Sequence, residues 1–196
     1  MHRSAKFFLF AMVLFLLPGC RSKAPAVIPD YAKTIKLLAV LPVKNNTADE
    51  KAAQILRQKV LDELYFKGYK KVPLKLIDEK LSLIFKDNPR SLQGDIPPQT
   101  VRELLGVDAV MYCTLKEIHT SYGFFYAPTR ISASFEMRSA RTGETLWRGQ
   151  WRDVERSFGY SKKDVELKAI QVYESVIQAV VDGALKTLPD GPELPG

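Results

Sequence analysis

Two cysteines and two histidines are the side chains in this 196-residue sequence best suited to nucleophilic or metal chemistry. Their placement removes most of that chemistry. No Cys or His pair falls at metal-ligand spacing, and there is neither a His-Glu-x-x-His helix nor a Gly-x-Ser-x-Gly elbow. His119 falls at an expected strand end, where it serves as a solvent-facing or hydrogen-bonded residue rather than a base. The acid pairs Asp49-Glu50 and Asp78-Glu79 stand where helices are expected to start, and the helix dipole favours carboxylates there without any catalytic role. No catalytic residue, metal site or cofactor is expected, and the chain reads as a non-enzyme.

Cys20 is different because of what precedes it. His2, Arg3 and Lys6 are followed by an uncharged run from Phe7 to Leu17. A basic start and a short apolar run make residues 1–19 a secretory signal peptide. At about ten residues the run is far short of the ~20 that span a bilayer. Leu17-Pro18-Gly19-Cys20 resembles the bacterial lipobox, with Leu at −3, Gly at −1 and Cys at +1, although Pro18 departs from the usual small or β-branched residue at −2. That resemblance implies a diacylglycerol on the Cys20 sulfur, cleavage before Cys20 and acylation of the new amino terminus. One acyl chain binds a bilayer only marginally, whereas two or three hold firmly. Arg21 rather than Asp follows the cysteine, so the sorting rule for such proteins implies the outer membrane, with the domain facing the periplasm. The other reading is an ordinary signal peptide that happens to contain a cysteine.

Loss of Arg3 and Lys6 with the signal leaves 27 basic residues against 22 acids, a net charge of +5. Such a diffuse excess suits anionic surfaces but argues no nucleic-acid partner, since basic runs with interleaved aromatics are absent. With Cys20 acylated, Cys113 is left unpaired on the apolar phase of a strand and reads as a small buried hydrophobe.

The elements follow from periodicity. Residues 20–34 read as the lipidated cysteine and a tether, 35–188 as one domain, and 189–196 as a disordered tail. Ile35 to Pro42 is a near-continuous apolar run, hence a strand buried on both faces. Val43 to Thr47 reads as a turn, and a helix runs from Thr47 or Asp49 to about Lys67 with Gly68 as its stop. Tyr69 to Leu74 is a short strand, and Asp78 caps a helix through Phe85. Pro98 opens another helix ending at Gly106. Three strands of period two then follow. Ala109, Met111, Cys113 and Leu115 point inward, as do Ile131, Ala133, Phe135 and Met137, and Trp147, Gly149 and Trp151. A single long helix from Lys162 to Leu188 closes the domain over both tryptophans. The fold class is α+β, an α/β sandwich in which helices pack on a mixed sheet in the order β-α-β-α-α-β-β-β-α.

Two surfaces remain. The polar phase of the three strands carries Tyr112, Lys116, Arg130, Arg138, Arg148 and Arg152, which is how a solvated sheet face also looks. The connection containing Tyr122, Phe124, Phe125 and Tyr126 puts four aromatics where turn residues are usual. These four either pack back on the sheet or contact a partner or lipid.

The segments LLAVLPVKNNT, KGYKKVPLKLIDEKL, LLGVDAVMYCTLKEIHTSY and RTGETLWRG, in this order and spacing, resemble a Gram-negative lipoprotein family typified by a genome-derived neisserial antigen. The resemblance covers about residues 36–185. The family is distantly similar to the curli-secretion channel lipoprotein, a lipoprotein activator of a peptidoglycan synthase and the TolB amino-terminal domain. It implies an α/β domain and carries no catalytic residues to transfer. A barrel-building hairpin needs about twenty residues, from two spanning strands of ~9–11, and the seven-residue connection Tyr122 to Pro128 does not supply them. The expected function is a periplasmic protein-binding accessory of envelope assembly, transport or cell-wall synthesis. Its partners would be the bilayer, through Cys20, and another envelope protein or a second copy. The alternative is a structural subunit of a lipoprotein ring or secretion complex.

Overall fold

The computed structural model describes residues 31–85 and 96–193. The expected signal peptide, Cys20, the first part of the tether and the last three residues of the tail lie outside them. The elements are α1 (Tyr31–Thr34), β1 (Leu37–Val40), β2 (Lys44–Asn45), α2 (Glu50–Phe66), β3 (Lys70–Lys71), α3 (Leu74–Ile84), α4 (Pro98–Leu105), β4 (Ala109–Thr120), β5 (Tyr126–Ser139), β6 (Thr145–Phe158), α5 (Lys162–Gln171) and α6 (Tyr173–Leu185).

They form a mixed α+β fold around one sheet of order β3-β1-β4-β5-β6, with β2 also paired to β4. β1 and β2 run parallel to β4, while β4, β5 and β6 form an antiparallel meander. Val43 to Thr47 is therefore only partly a turn. Pro42 interrupts the ladder, and Lys44-Asn45 resumes it beside Thr114 and Leu115. Asp49 caps α2 as anticipated, accepting from the Ala52 N–H at 2.9 Å, and Gly68 at φ 82° ends that helix in the left-handed conformation.

The sheet is covered on both faces at its parallel end. α2 and α6 pack on one side, over Leu38, Val40, Met111, Cys113, Phe135 and Met137. α3 and α4 enclose Ala39, Leu41, Ile77, Val101 and Val110 on the other. Val110 is buried although it lies on the polar phase, because α4 closes over that end of β4. Cys113 is buried as expected, and burial pushes its thiol up to about 12.

Several expectations need correction. α3 begins at Leu74, capped by the extended Pro73, so Asp78 lies inside the helix rather than at its start. The closing helix is broken at Val172, because α5 packs on the outer half of the β5–β6 ribbon whereas α6 packs on the main core. Trp147 and Trp151 share a face as the phase requires, but only Trp147 is buried. Trp147 is 9% exposed and donates from Nε1 to Thr187 Oγ1 at 3.2 Å, while Trp151 is 46% exposed over Gly183. Lastly, Pro189–Glu193 is not a loose tail. Tyr69 Oη donates to the Pro189 carbonyl at 2.8 Å, Lys67 Nζ contacts Asp190, and the Gly191 N–H bonds the Lys67 carbonyl. At the other terminus the fold begins before residue 35, with Ala32 of α1 fully buried.

Candidate functional site

Beyond Leu115 the strand β4 has no neighbour on its β1 side among the described residues, so the meander continues as a three-stranded ribbon. A register shift between Leu115 and Glu117 adjusts its pleat. α5 covers one face of this ribbon, burying Val165 and Ala169 against Ala127. The four expected aromatics sit at its far end, and they do not fold back. Phe124 is 87% exposed, and Tyr122, Phe125 and Tyr126 are each at least half exposed. Their backbone is nevertheless fixed: Gly123 N–H donates to the Tyr126 carbonyl at 2.9 Å, Ser121 N–H to Pro128 and Gly159 N–H to Phe125 at 3.0 Å.

That last bond shows what sequence reading missed. The register Tyr126↔Phe158 brings the end of β6 to the same tip, so Phe158 and Tyr160 join the cluster. The Tyr126 and Phe158 rings lie 6.5 Å apart, and Tyr160 is 97% exposed. Lys162 lines a shallow apolar hollow with Tyr122, Gly123 and Phe124. The signal was present in Phe158-Gly159-Tyr160, but only pairing β5 with β6 through Tyr126 reveals it. Six exposed aromatics at one end of a hydrogen-bonded ribbon bury little surface there, whereas aromatics dominate binding energy at protein interfaces.

The polar face behaves as a solvated sheet face on which two glutamates are each shared by two arginines. Glu136 accepts from Arg138 at 2.8 Å and from Arg148 at 2.9 Å, and Thr145 donates to it. Glu117 meets Arg130 and Arg152, Lys116 donates to Gln150, and the Arg138 guanidinium lies 4.8 Å from the Tyr112 ring centre. Arg138, with help from Thr145 and Arg148, holds the Glu136 carboxyl down to about 2. Because the folded-state value is depressed, the stabilisation is complete above the carboxyl's ordinary 4.5 and is lost as pH falls toward 2. Glu136→Gln is accordingly expected to lower stability at neutral pH, with the difference from wild type vanishing near pH 2. Urea titrations across pH 2–7 check this, and a pH-independent difference would contradict it.

His119 is exposed, its Nε2 2.8 Å from Ser121 Oγ. Among the described residues no three His, Cys, Asp or Glu side chains gather as a metal site, and no helix is long and apolar enough to cross a membrane. Cys20, the expected lipid attachment site, lies outside the described residues.

Residues 31–192 match the family model described as "Putative lipoprotein GNA1162-like". The chain is 29% identical over 115 residues to the lipoprotein NMB1124/NMB1162 of Neisseria meningitidis serogroup B, an alignment covering 57% of this chain and 52% of that protein. It thus spans about half the length of that relative. Among solved structures, lipoprotein GNA1162 from Neisseria meningitidis superposes with a TM-score of 0.55 at 23% identity, over 72% of this chain and 97% of that one. A PelC dodecamer subunit from Paraburkholderia phytofirmans gives 0.50 at 13% identity, over 77% and 87%. These likenesses establish a shared fold, and the dodecameric assembly is a property of that second protein.

Proposed function

The chain belongs to the GNA1162-like lipoprotein family, and on that premise we propose that it is a non-enzymatic accessory lipoprotein of the bacterial envelope. It is held in the outer membrane by acyl chains on Cys20, faces the periplasm and binds another envelope protein through the aromatic ribbon tip. The observation that carries this reading is the exposed cluster of Tyr122, Phe124, Phe125, Tyr126, Phe158 and Tyr160 on a hydrogen-bonded backbone. A fixed backbone lowers the ordering cost of binding, and large aromatic side chains supply contact area with few rotatable bonds. The remaining ionisable groups support a binding rather than a catalytic role: the sheet-face glutamates are committed to arginines, and Cys113 is buried.

The double substitution Phe124→Ser, Phe125→Ser tests the reading. Both rings are exposed, so the melting temperature is expected to move by no more than a few degrees, surface changes costing about 0.5 kcal/mol or less. In-cell crosslinking to the partner should fall sharply in the same variant. Intact crosslinking, or a collapse in melting temperature, would sink the tip as a contact surface.

A further inference from the structure

The fold has two ends, and α1, where the described residues begin, and the aromatic tip occupy opposite ones. Leu38, just after α1, pairs with Ala109 at the start of β4, whereas the tip follows Thr120 at its end. Tyr31 and Thr34 share a surface hollow with Arg141 and Thr142 of the β5–β6 turn, the end of the meander away from the tip. At a rise of ~3.4 Å per residue, β4 alone separates the two ends by roughly 37 Å. The eleven steps from Cys20 to Tyr31 span at most ~36–40 Å when fully drawn out. Seating the tip in the bilayer that holds Cys20 would use that entire reach, with the linker stretched back along the domain.

The charges around the tip narrow the partner further. Arg156 and Lys163 are exposed and form no ion pair among the described residues, and Lys162 has only Glu166 at 4.0 Å. Of the nearby acids, Asp164 accepts from the Tyr160 N–H and meets Lys168, Glu117 holds Arg130 and Arg152, and Glu155 accepts from Ser175 Oγ, while Asp153 and Glu155 form no ion pair among the described residues. The tip is therefore an aromatic cluster with uncompensated cations at its rim. The sheet face behind it shares two glutamates among four arginines and holds Lys116 on the neutral Gln150, so it too stays net positive and favours an acidic surface.

Resting on the proposed function, we infer that the tip's occupant is a protein surface remote from the anchoring bilayer, an apolar pocket rimmed by carboxylates. The aromatics fill the pocket, and the rim charges steer and orient the encounter, a contribution that weakens with salt.

The test uses the full-length lipidated protein in cells, with a photo-crosslinking phenylalanine analogue at Phe124, at Tyr160 or, as control, at Thr142. Phe124 and Tyr160 should capture the same identified protein, and Thr142 should not. In the Arg156→Glu, Lys163→Glu background the yield should fall about tenfold, as expected for reversing rim charges against a complementary partner. Arg156→Ser with Lys163→Ser serves as the milder variant should the reversal perturb folding. Adducts confined to phospholipid or to a second copy would overturn the inference, as would tip-dependent binding of the acyl-free domain to vesicles of phosphatidylethanolamine and phosphatidylglycerol. Failure of both tip positions to capture any protein would sink the proposed function as well. A protein adduct indifferent to charge reversal would sink only the acidic-rim inference.

Discussion

Replacing Arg57 by alanine is expected to lower stability by about 2–4 kcal/mol, on the order of 10 °C in Tm for a domain of this size. The reason lies at the sheet edge. β3 is only two residues long, and after the Val72 N–H bonds the Leu38 carbonyl, Pro73 turns the chain away with no N–H to offer. The Val40 carbonyl, two residues along β1 on the same side, is left without a strand partner. Arg57 supplies one, donating from Nε at 3.2 Å and Nη2 at 3.0 Å, while Nη1 reaches both Asp78 oxygens at 2.8 and 2.9 Å. One planar guanidinium thus joins α2, β1 and α3. Its loss strands a buried acceptor, at a cost of about 1–3 kcal/mol. The ion pair adds less, because half of the Asp78 side chain is in water. Arg57→Lys keeps the charge but not the two-directional fork, and should recover only part of the loss. Asp78→Asn leaves the Val40 contact intact and should cost the least. Thermal unfolding by circular dichroism ranks the three variants. A Tm for Arg57→Ala within 2 °C of wild type would show that water satisfies Val40.

Arg57 also marks where the sequence stops being readable. Periodicity disclosed the β-meander and its inward phase, because one buried face imposes a period of two whatever lies elsewhere. It placed Asp78 at a helix start because an acid before an apolar stretch is a common cap, yet its real partner is twenty-one residues away in another helix. The break at Val172 was hidden for a related reason. Ala169 and Val176 are seven residues apart, the spacing of one unbroken helical face, and only the different surfaces beneath α5 and α6 separate them. Trp151 shows the limit of phase itself. Facing the helix layer does not ensure burial: the indole packs so close to Gly183 that a Cβ there would clash with it, yet Trp151 stays 46% exposed. At the tip, composition disclosed the four aromatics of one loop, whereas Phe158 and Tyr160 are brought in by strand register, which depends on every residue between them.

Cys20→Ser is expected to remove acyl labelling completely and to leave a precursor that retains residues 1–19. The expectation rests on chemistry as much as on the Leu17-Pro18-Gly19-Cys20 pattern. A serine hydroxyl is nearly isosteric with the thiol but is not the sulfur nucleophile on which the diacylglycerol is built, and cleavage follows that modification. Without it the apolar run from Phe7 to Leu17 stays on the chain. That run is too short to span a bilayer stably, so attachment should become weak and extractable. On the proposed lipidation, two or three chains at about 0.8 kcal/mol per buried CH₂ would make the wild-type protein resist the same extraction. Arg21→Asp gives a second arm, since it leaves lipidation intact and should move the protein to the inner membrane. Metabolic labelling with palmitate, the mass of the mature amino terminus and membrane fractionation read all three outcomes. Normal labelling and processing of Cys20→Ser would mean that another residue carries the anchor or that none does. The tether length by which seating the tip in the anchoring bilayer takes the linker's whole reach would then no longer apply.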